Sequence, residues 1–135
     1  MRVYVDMVGD LFHHGHVEFL RRARALGDVL VVGVHSDETV ASYKRAPIMS
    51  MDERIRVVEA CRYVDEVVAD APLQLTDEYL REHALDLVVH GDDLDPETLE
   101  RFYGAAQQQG IFRTIPYTVG ISTSDILARL AGRQE

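Results

Sequence analysis

The chain has 135 residues, 47% of them hydrophobic, with no tryptophan and 14 Lys+Arg against 23 Asp+Glu, a formal net charge of −9. That length suffices to bury about two-thirds of the unfolded surface in one core, and a lone Cys61 excludes an intramolecular disulfide or a cysteine-based zinc cluster, so a reducing, cytoplasmic setting is expected. The acidic balance argues against nucleic acid as partner, because counterion-release binding needs clustered Lys and Arg; a small polyphosphate in a local site stays compatible with it.

In chain order, Arg2–Asp6 reads as a first strand with no secretion signal before it. A polar, glycine-containing stretch follows, then a helix near Gly15–Leu26. Val29–His35 reads as a second strand, far short of the roughly 20 residues of a membrane span. Ser50-Met51-Asp52-Glu53 is a capping box that opens a helix near Ser50–Tyr63. Strands at Glu66–Ala69, Leu87–His90 and Phe112–Ile115 alternate with helices near Thr76–His83 and Pro96–Gln109, and a last helix runs from about Thr123 to Ala131. Pro96 suits a first helical turn, while Gly27 and Gly110 stand where C-terminal caps are wanted. The strands are short, nearly continuous apolar runs, as in a parallel sheet covered on both faces. The pattern predicts one α/β domain with a Rossmann-like, doubly wound parallel five-stranded sheet and helices on both faces. In such a sheet ligands bind beyond the carboxyl ends of the strands, where strand order reverses.

The loop after the first strand, Asp6-Met7-Val8-Gly9-Asp10-Leu11-Phe12-His13-His14-Gly15-His16, leads straight into a helix. A helix start favours an anion; imidazoles can donate to phosphate oxygens, and Gly15 lets a phosphate approach the backbone. Two alternatives stand beside this reading: a metal pair lacking further ligands, and a polar loop that merely holds several histidines. Ser122-Thr123-Ser124, after Gly120-Ile121, opens the last helix and offers a second phosphate seat or an ordinary N-cap. Lys44, the chain's one lysine against thirteen arginines, lies in a loop beside Arg45 and reads as a phosphate contact or a solvated cation. Arg62 offers a fork of donors, or a surface pair with Asp65. His90-Gly91-Asp92-Asp93 reads as a nucleobase contact or a solvated acidic loop.

Four segments in order carry a resemblance: Asp10-Leu11-Phe12-His13-x-Gly15-His16, Val32-Gly33-Val34-His35-Ser36-Asp37-Glu38, Arg62-Tyr63-Val64-Asp65-Glu66-Val67-Val68 and Gly120-Ile121-Ser122-Thr123-Ser124-Asp125-Ile126. Together they resemble the His-x-Gly-His nucleotidyltransferase superfamily, and within it the cytidylyltransferases for choline phosphate, ethanolamine phosphate and glycerol 3-phosphate. The resemblance covers essentially the whole chain and implies a single nucleotide-binding domain over 1–135, complete or cut from a longer polypeptide. It implies CTP-dependent transfer of CMP to a small alcohol phosphate or phosphonate with release of pyrophosphate. Mg²⁺ would be carried mainly by the triphosphate, with no metal ligand assigned to the protein, and the implied assembly is a homodimer.

His13, His16 and Lys44 then resemble the catalytic residues. Val8, Gly9, Asp10, Gly15, Arg62, Gly91, Asp92, Gly120, Ile121, Ser122, Thr123 and Ser124 fall at nucleotide-binding positions, and Asp6, Lys44, Tyr63 and Tyr117 at substrate-binding ones. Three departures stand out. The loop reads Met7-Val8-Gly9-Asp10, with its glycine moved by two residues; Tyr117 replaces a phosphate-contacting arginine; and Leu73 follows Ala-Pro where an aromatic is usual. A half-built aromatic cage argues against choline and for a smaller amine or hydroxyl head group. An adenylyltransferase of the same superfamily and a catalytically weak, regulatory nucleotide-binding domain are the alternatives.

Overall fold

A computed structural model of the chain describes residues 1–116 and 121–133. Five strands, β1 (Arg2–Met7), β2 (Val29–Val34), β3 (Glu66–Ala69), β4 (Leu87–Gly91) and β5 (Phe112–Ile115), form one sheet. All pairings are parallel, in the order β3-β2-β1-β4-β5. Six helices connect or follow them: α1 (His14–Arg24), α2 (Asp37–Ala41), α3 (Met51–Glu59), α4 (Asp77–Glu82), α5 (Pro96–Gln108) and α6 (Thr123–Ala131). The chain walks outward from β1 through β2 to β3, then returns to lay β4 on the other side of β1. That reversal opens a crevice above the carboxyl ends of β1 and β4.

Alternation along the central strands divides the core into two layers. Val3, Val5, Leu30, Val32 and Val34 pack with Leu20 and Val58 on one face, while Tyr4, Val31 and Val88 pack with Leu80 and Tyr103 on the other. Both faces are therefore apolar, which is why the strands read as continuous rather than alternating runs. The Ser50–Glu53 capping box is present in both directions, and Pro96 sits in the first turn of α5 behind the Asp95 cap. Among the described residues, no helix is long and apolar enough to cross a membrane.

Two local expectations change. The stretch after β2 is not a plain loop: Ser36 caps the five-residue α2, its hydroxyl accepting from Thr39 N at 3.0 Å. Gly110 has the expected left-handed backbone, φ 71°, but Gly27 does not act as a left-handed cap. It is small because the chain's start passes over it, and a Cβ there would meet Met1 O at 2.7 Å.

Gly33 has a comparable reason to be glycine. Tyr4 is fully buried on β1, its hydroxyl accepting from Tyr79 Oη at 3.0 Å. A Cβ at Gly33 would collide with that hydroxyl and lie 2.7 Å from Ala71 Cβ. Gly33→Ala is expected to cost about 1–3 kcal/mol through overpacking, read as a lower urea midpoint at constant m-value; a midpoint within error of the parent would refute it.

Candidate active site

A cleft of about 460 Å³ opens at the reversal point, between the loop after β1, the loops flanking α2, the end of β4 and the start of α6. Its floor is set by the first loop. Val8, Gly9 (φ 70°) and Asp10 turn the chain from β1 toward α1, and all three line the cleft.

One side chain fixes this turn. Arg54 of α3 has no exposed surface. Its Nη1 donates to Val8 O at 2.6 Å, its Nε to Met49 O at 3.1 Å, and its Nη2 to Asp37 Oδ1 at 2.7 Å. A buried cation is tolerable only when its donors are met, and here three different segments meet them. Asp10 adds a complementary clamp: its carboxylate accepts Ile48 N at 2.8 Å and Met49 N at 2.9 Å, and its carbonyl accepts Thr123 Oγ1 at 3.1 Å. The loop carrying Lys44 and the start of α6 are thus both tied to the first loop.

At the start of α1 the two histidines cap the helix between them. Gly15 N donates to His13 Nδ1 at 3.0 Å, and His13 N donates to His16 Nδ1 at 3.0 Å. Both Nδ1 atoms act as acceptors of backbone N–H groups, so each neutral ring carries its proton on Nε2. The rings lie 4.0 Å apart, His16 stacks on Phe12, and both histidines line the cleft. Burial first, then the charge of His13, push the His16 imidazole down to about 4 despite Asp10; burial and His14 lower His13 against the pull of Asp125. The arrangement presents neutral donors at a helix start whose dipole already favours an anion. Gly15 is required by space, since a Cβ would lie 2.8 Å from the His13 ring.

Ile121, Ser122, Thr123 and Ser124 also line the cleft. Ser122 caps α6 by accepting Asp125 N at 3.1 Å, and the Thr123 hydroxyl is committed to Asp10 O, so Ser124 has the less committed hydroxyl of this group. Lys44 lines the cleft beside Arg45, its Nζ 5.4 Å from the Tyr43 ring centre. Partial desolvation and Arg45 lower its pKa, opposed by Asp10 and Asp93. Gly91 reaches the cleft, with Asp93 rather than Asp92 as its acidic neighbour there.

The end of β1 contributes a recess of the same cleft around Asp6. Asp6 is buried at the end of β1, with Oδ1 accepting the Tyr103 hydroxyl at 2.7 Å. His35, Tyr43, His90 and Leu73 also line the cleft, with His35 Nε2 3.8 Å from Asp6 Oδ2 and the His90 ring 5.2 Å from that of Tyr103; Leu73 makes that stretch of wall aliphatic.

Arg62 and Tyr63 are not brought to this cleft. They line a separate shallow groove with Phe12, Val17 and Val57, between α1 and α3. The junction from α3 into β3 lies at the amino end of that strand, opposite the crevice. Nor does Arg62 pair with Asp65, which instead binds Arg24 Nε at 3.0 Å and accepts Leu30 N at 2.8 Å. Tyr117 and Gly120 lie outside the described residues. Arg54, His35 and Tyr103 escape the sequence reading; an arginine at a core-facing position of an amphipathic helix was the available signal for the first.

Comparison with known proteins adds the following. A family model described as cytidylyltransferase-like matches residues 9–129. The chain is 45% identical over 131 residues to an ethanolamine-phosphate cytidylyltransferase of Dictyostelium discoideum, covering 96% of this chain and 36% of that protein. It is 43% identical over 134 residues to choline-phosphate cytidylyltransferase A of Homo sapiens, again covering 96% of this chain and 36% of the relative. The chain thus spans little more than a third of the length of these relatives. A solved structure of a lipopolysaccharide core biosynthesis protein from Thermoplasma volcanium GSS1 superimposes with a TM-score of 0.70 at 25% identity, covering 87% of this chain and 96% of that one.

Two expectations arise from the geometry. Arg54→Met leaves Val8 O, Met49 O and Asp37 without their donor, and a loss of about 3–5 kcal/mol in denaturant unfolding is expected; a loss below about 1 kcal/mol would show the clamp to be dispensable. Because folding lowers the His16 pKa, the unfolded chain binds the extra proton, so stability falls as pH drops from about 6.5 toward 4. ¹⁵N NMR at pH 7 should show His13 and His16 as Nε2–H tautomers, and an Nδ1–H signal from either would contradict the mutual cap.

Proposed function

The chain belongs to the cytidylyltransferase-like family, and from that premise we propose that it transfers CMP from CTP to a small alcohol phosphate or phosphonate. The single observation that carries the reading is the mutual histidine cap. It places two neutral imidazoles, each with its Nε2–H left for a ligand, at the start of α1 within the cleft. An acceptor oxygen attacks the α-phosphorus of CTP; the new P–O bond forms as the bond to the bridging oxygen breaks, and pyrophosphate leaves with the electron pair. No protein nucleophile takes part.

In this reading the protein positions and stabilises. His13 and His16 donate to the oxygens on which charge develops, and the α1 dipole supports the same charge. Lys44, with Arg45, lines the same cleft and contacts the triphosphate or the acceptor's phosphate. Ser124 and the N-terminal N–H groups of α6 complete the anion seat, and Gly91 lets the nucleobase approach the backbone. Asp6, buried at the end of β1, holds the acceptor's head group. An ethanolamine phosphate-like acceptor is favoured by the names of the relatives and by Leu73, which leaves the recess without a full aromatic cage.

The described residues offer no group of three or more His, Cys, Asp or Glu that could hold a metal ion, and both carboxylate oxygens of Asp10 accept backbone N–H groups. No resident Mg²⁺ cage fits these residues. Mg²⁺ belongs to the proposal only as the triphosphate's own counter-ion, and no step is assigned to it. The proposal also takes the chain as one catalytic domain that works in the cytoplasm as a homodimer.

Pyrophosphate release with CTP and a panel of ethanolamine phosphate, choline phosphate and aminoethyl- and hydroxyethylphosphonate tests the reading. His13→Ala and His16→Ala are each expected to lower kcat about 10²–10³-fold. Stronger thermal protection by ATP than by CTP would favour adenylyl transfer instead. Nucleotide protection without pyrophosphate from any acceptor would point to a regulatory domain.

A further inference from the structure

The recess beside Asp6 contains a second buried polar side chain, His35, and the pair bears on what a head group must supply. His35 lies just beyond β2 and is 4% exposed. Its Nδ1 is 2.9 Å from Ala71 O. A carbonyl can only accept, so Nδ1 carries a proton, and in that tautomer of the neutral ring a bare lone pair turns outward on Nε2. That Nε2 faces Asp6 Oδ2 at 3.8 Å, beyond direct hydrogen-bond reach. Oδ2 is buried and has no hydrogen-bond partner among the described residues, while Oδ1 is already bonded to Tyr103. In that tautomer two buried acceptors look at each other across a gap lined by the cleft, and a buried acceptor without a donor is costly.

We propose that His35 Nε2 and Asp6 Oδ2 form a two-acceptor seat for a primary ammonium, making His35 a specificity-determining residue for the acceptor substrate. The inference rests on the transfer reading above and assigns residues to the head-group preference which that reading takes from the relatives and from Leu73. Donor counting gives the selectivity. An –NH₃⁺ group has three N–H donors and a positive charge, so it can satisfy both acceptors and neutralise Asp6. A hydroxyl has one donor and no charge, so one of the two stays unmet. A trimethylammonium has charge but no N–H at all. Charge-assisted bonds are the stronger kind, and sites built around such donors reject analogues that lack them.

The test measures CTP-dependent pyrophosphate release with ethanolamine phosphate, 2-hydroxyethyl phosphate and choline phosphate. In the parent, kcat/KM for the primary amine is expected to exceed that for each of the other two by at least about tenfold. Two variants then separate the Nε2 role from mere packing. His35→Asn keeps a donor for Ala71 O near the Nδ1 position but withdraws the Nε2 acceptor; it should cut the amine-to-hydroxyl ratio about tenfold, with a larger change in KM for the amine than in KM for CTP. His35→Gln, whose amide oxygen can reach the Nε2 position, should restore most of the ratio. A parent indifferent to head group, as an imidazolium at His35 already neutralising Asp6 would make it, overturns the inference whatever the variants do. So does a ratio that His35→Asn leaves intact. Transfer without discrimination refutes the ammonium seat alone; pyrophosphate from none of the three refutes the transfer reading and the seat with it.

Discussion

A guanidinium with no exposed surface sits beneath the cleft, and most of the site's geometry is inherited from it. Arg54 binds the carbonyl of Val8 in the first loop, the carbonyl of Met49 ahead of α3, and the carboxylate of Asp37 in α2. None of these segments is long enough to hold its own shape. The planar, fixed fork of an arginine suits such a task, because its donors leave in set directions and cannot all be satisfied by one neighbour. Once Val8 and Met49 are fixed, Asp10 is placed to take the N–H groups of Ile48 and Met49, and the α6 start is drawn in through Thr123. The cleft is therefore assembled by polar bonds arranged outward from a single charge, over a sheet held together by apolar packing.

The histidine cap solves a different problem. An imidazole meant to face a phosphate could protonate, flip or swing away. Engaging Nδ1 of each ring with a backbone N–H fixes orientation and tautomer together, and burial discourages the charged form. Capping and presentation of donors are thus one interaction, so the residues that begin the helix cannot be exchanged for ordinary caps without losing both.

The sheet and its flanking helices were legible because buried parallel strands leave apolar runs that little else produces, as in Val29–Val34. The short α2 was not, since Asp-Glu-Thr-Val-Ala lacks an apolar period and forms only because Ser36 caps it and Arg54 draws on Asp37. His13, His16, Lys44 and the Ser122–Ser124 segment were legible by their place after strands or at helix starts. Arg62 and Tyr63 were drawn toward the site by their motif alone, whereas a segment entering β3 belongs at the amino end of the strand. His35 and Tyr103 were hidden for the opposite reason. Their importance is a distance to Asp6, 3.8 Å for His35 Nε2 and 2.7 Å for the Tyr103 hydroxyl, and Tyr103 lies 97 positions away along the chain.

The reversal of strand order gives the cleft two walls of different ancestry within the chain. The groups proposed to face phosphate come chiefly from the β1–α1 turn and the head of α6, while the recess around Asp6 draws on the end of β2, on β4 and on α5. Apart from Asp6 itself, substitutions that reshape the recess fall on elements that carry neither histidine. The fold thereby separates the nucleotide-facing half of the proposed reaction from the acceptor-facing half. On this plan a substitution at His35, Leu73 or Tyr103 reshapes the recess proposed for the acceptor while leaving in place the side chains proposed to hold phosphate.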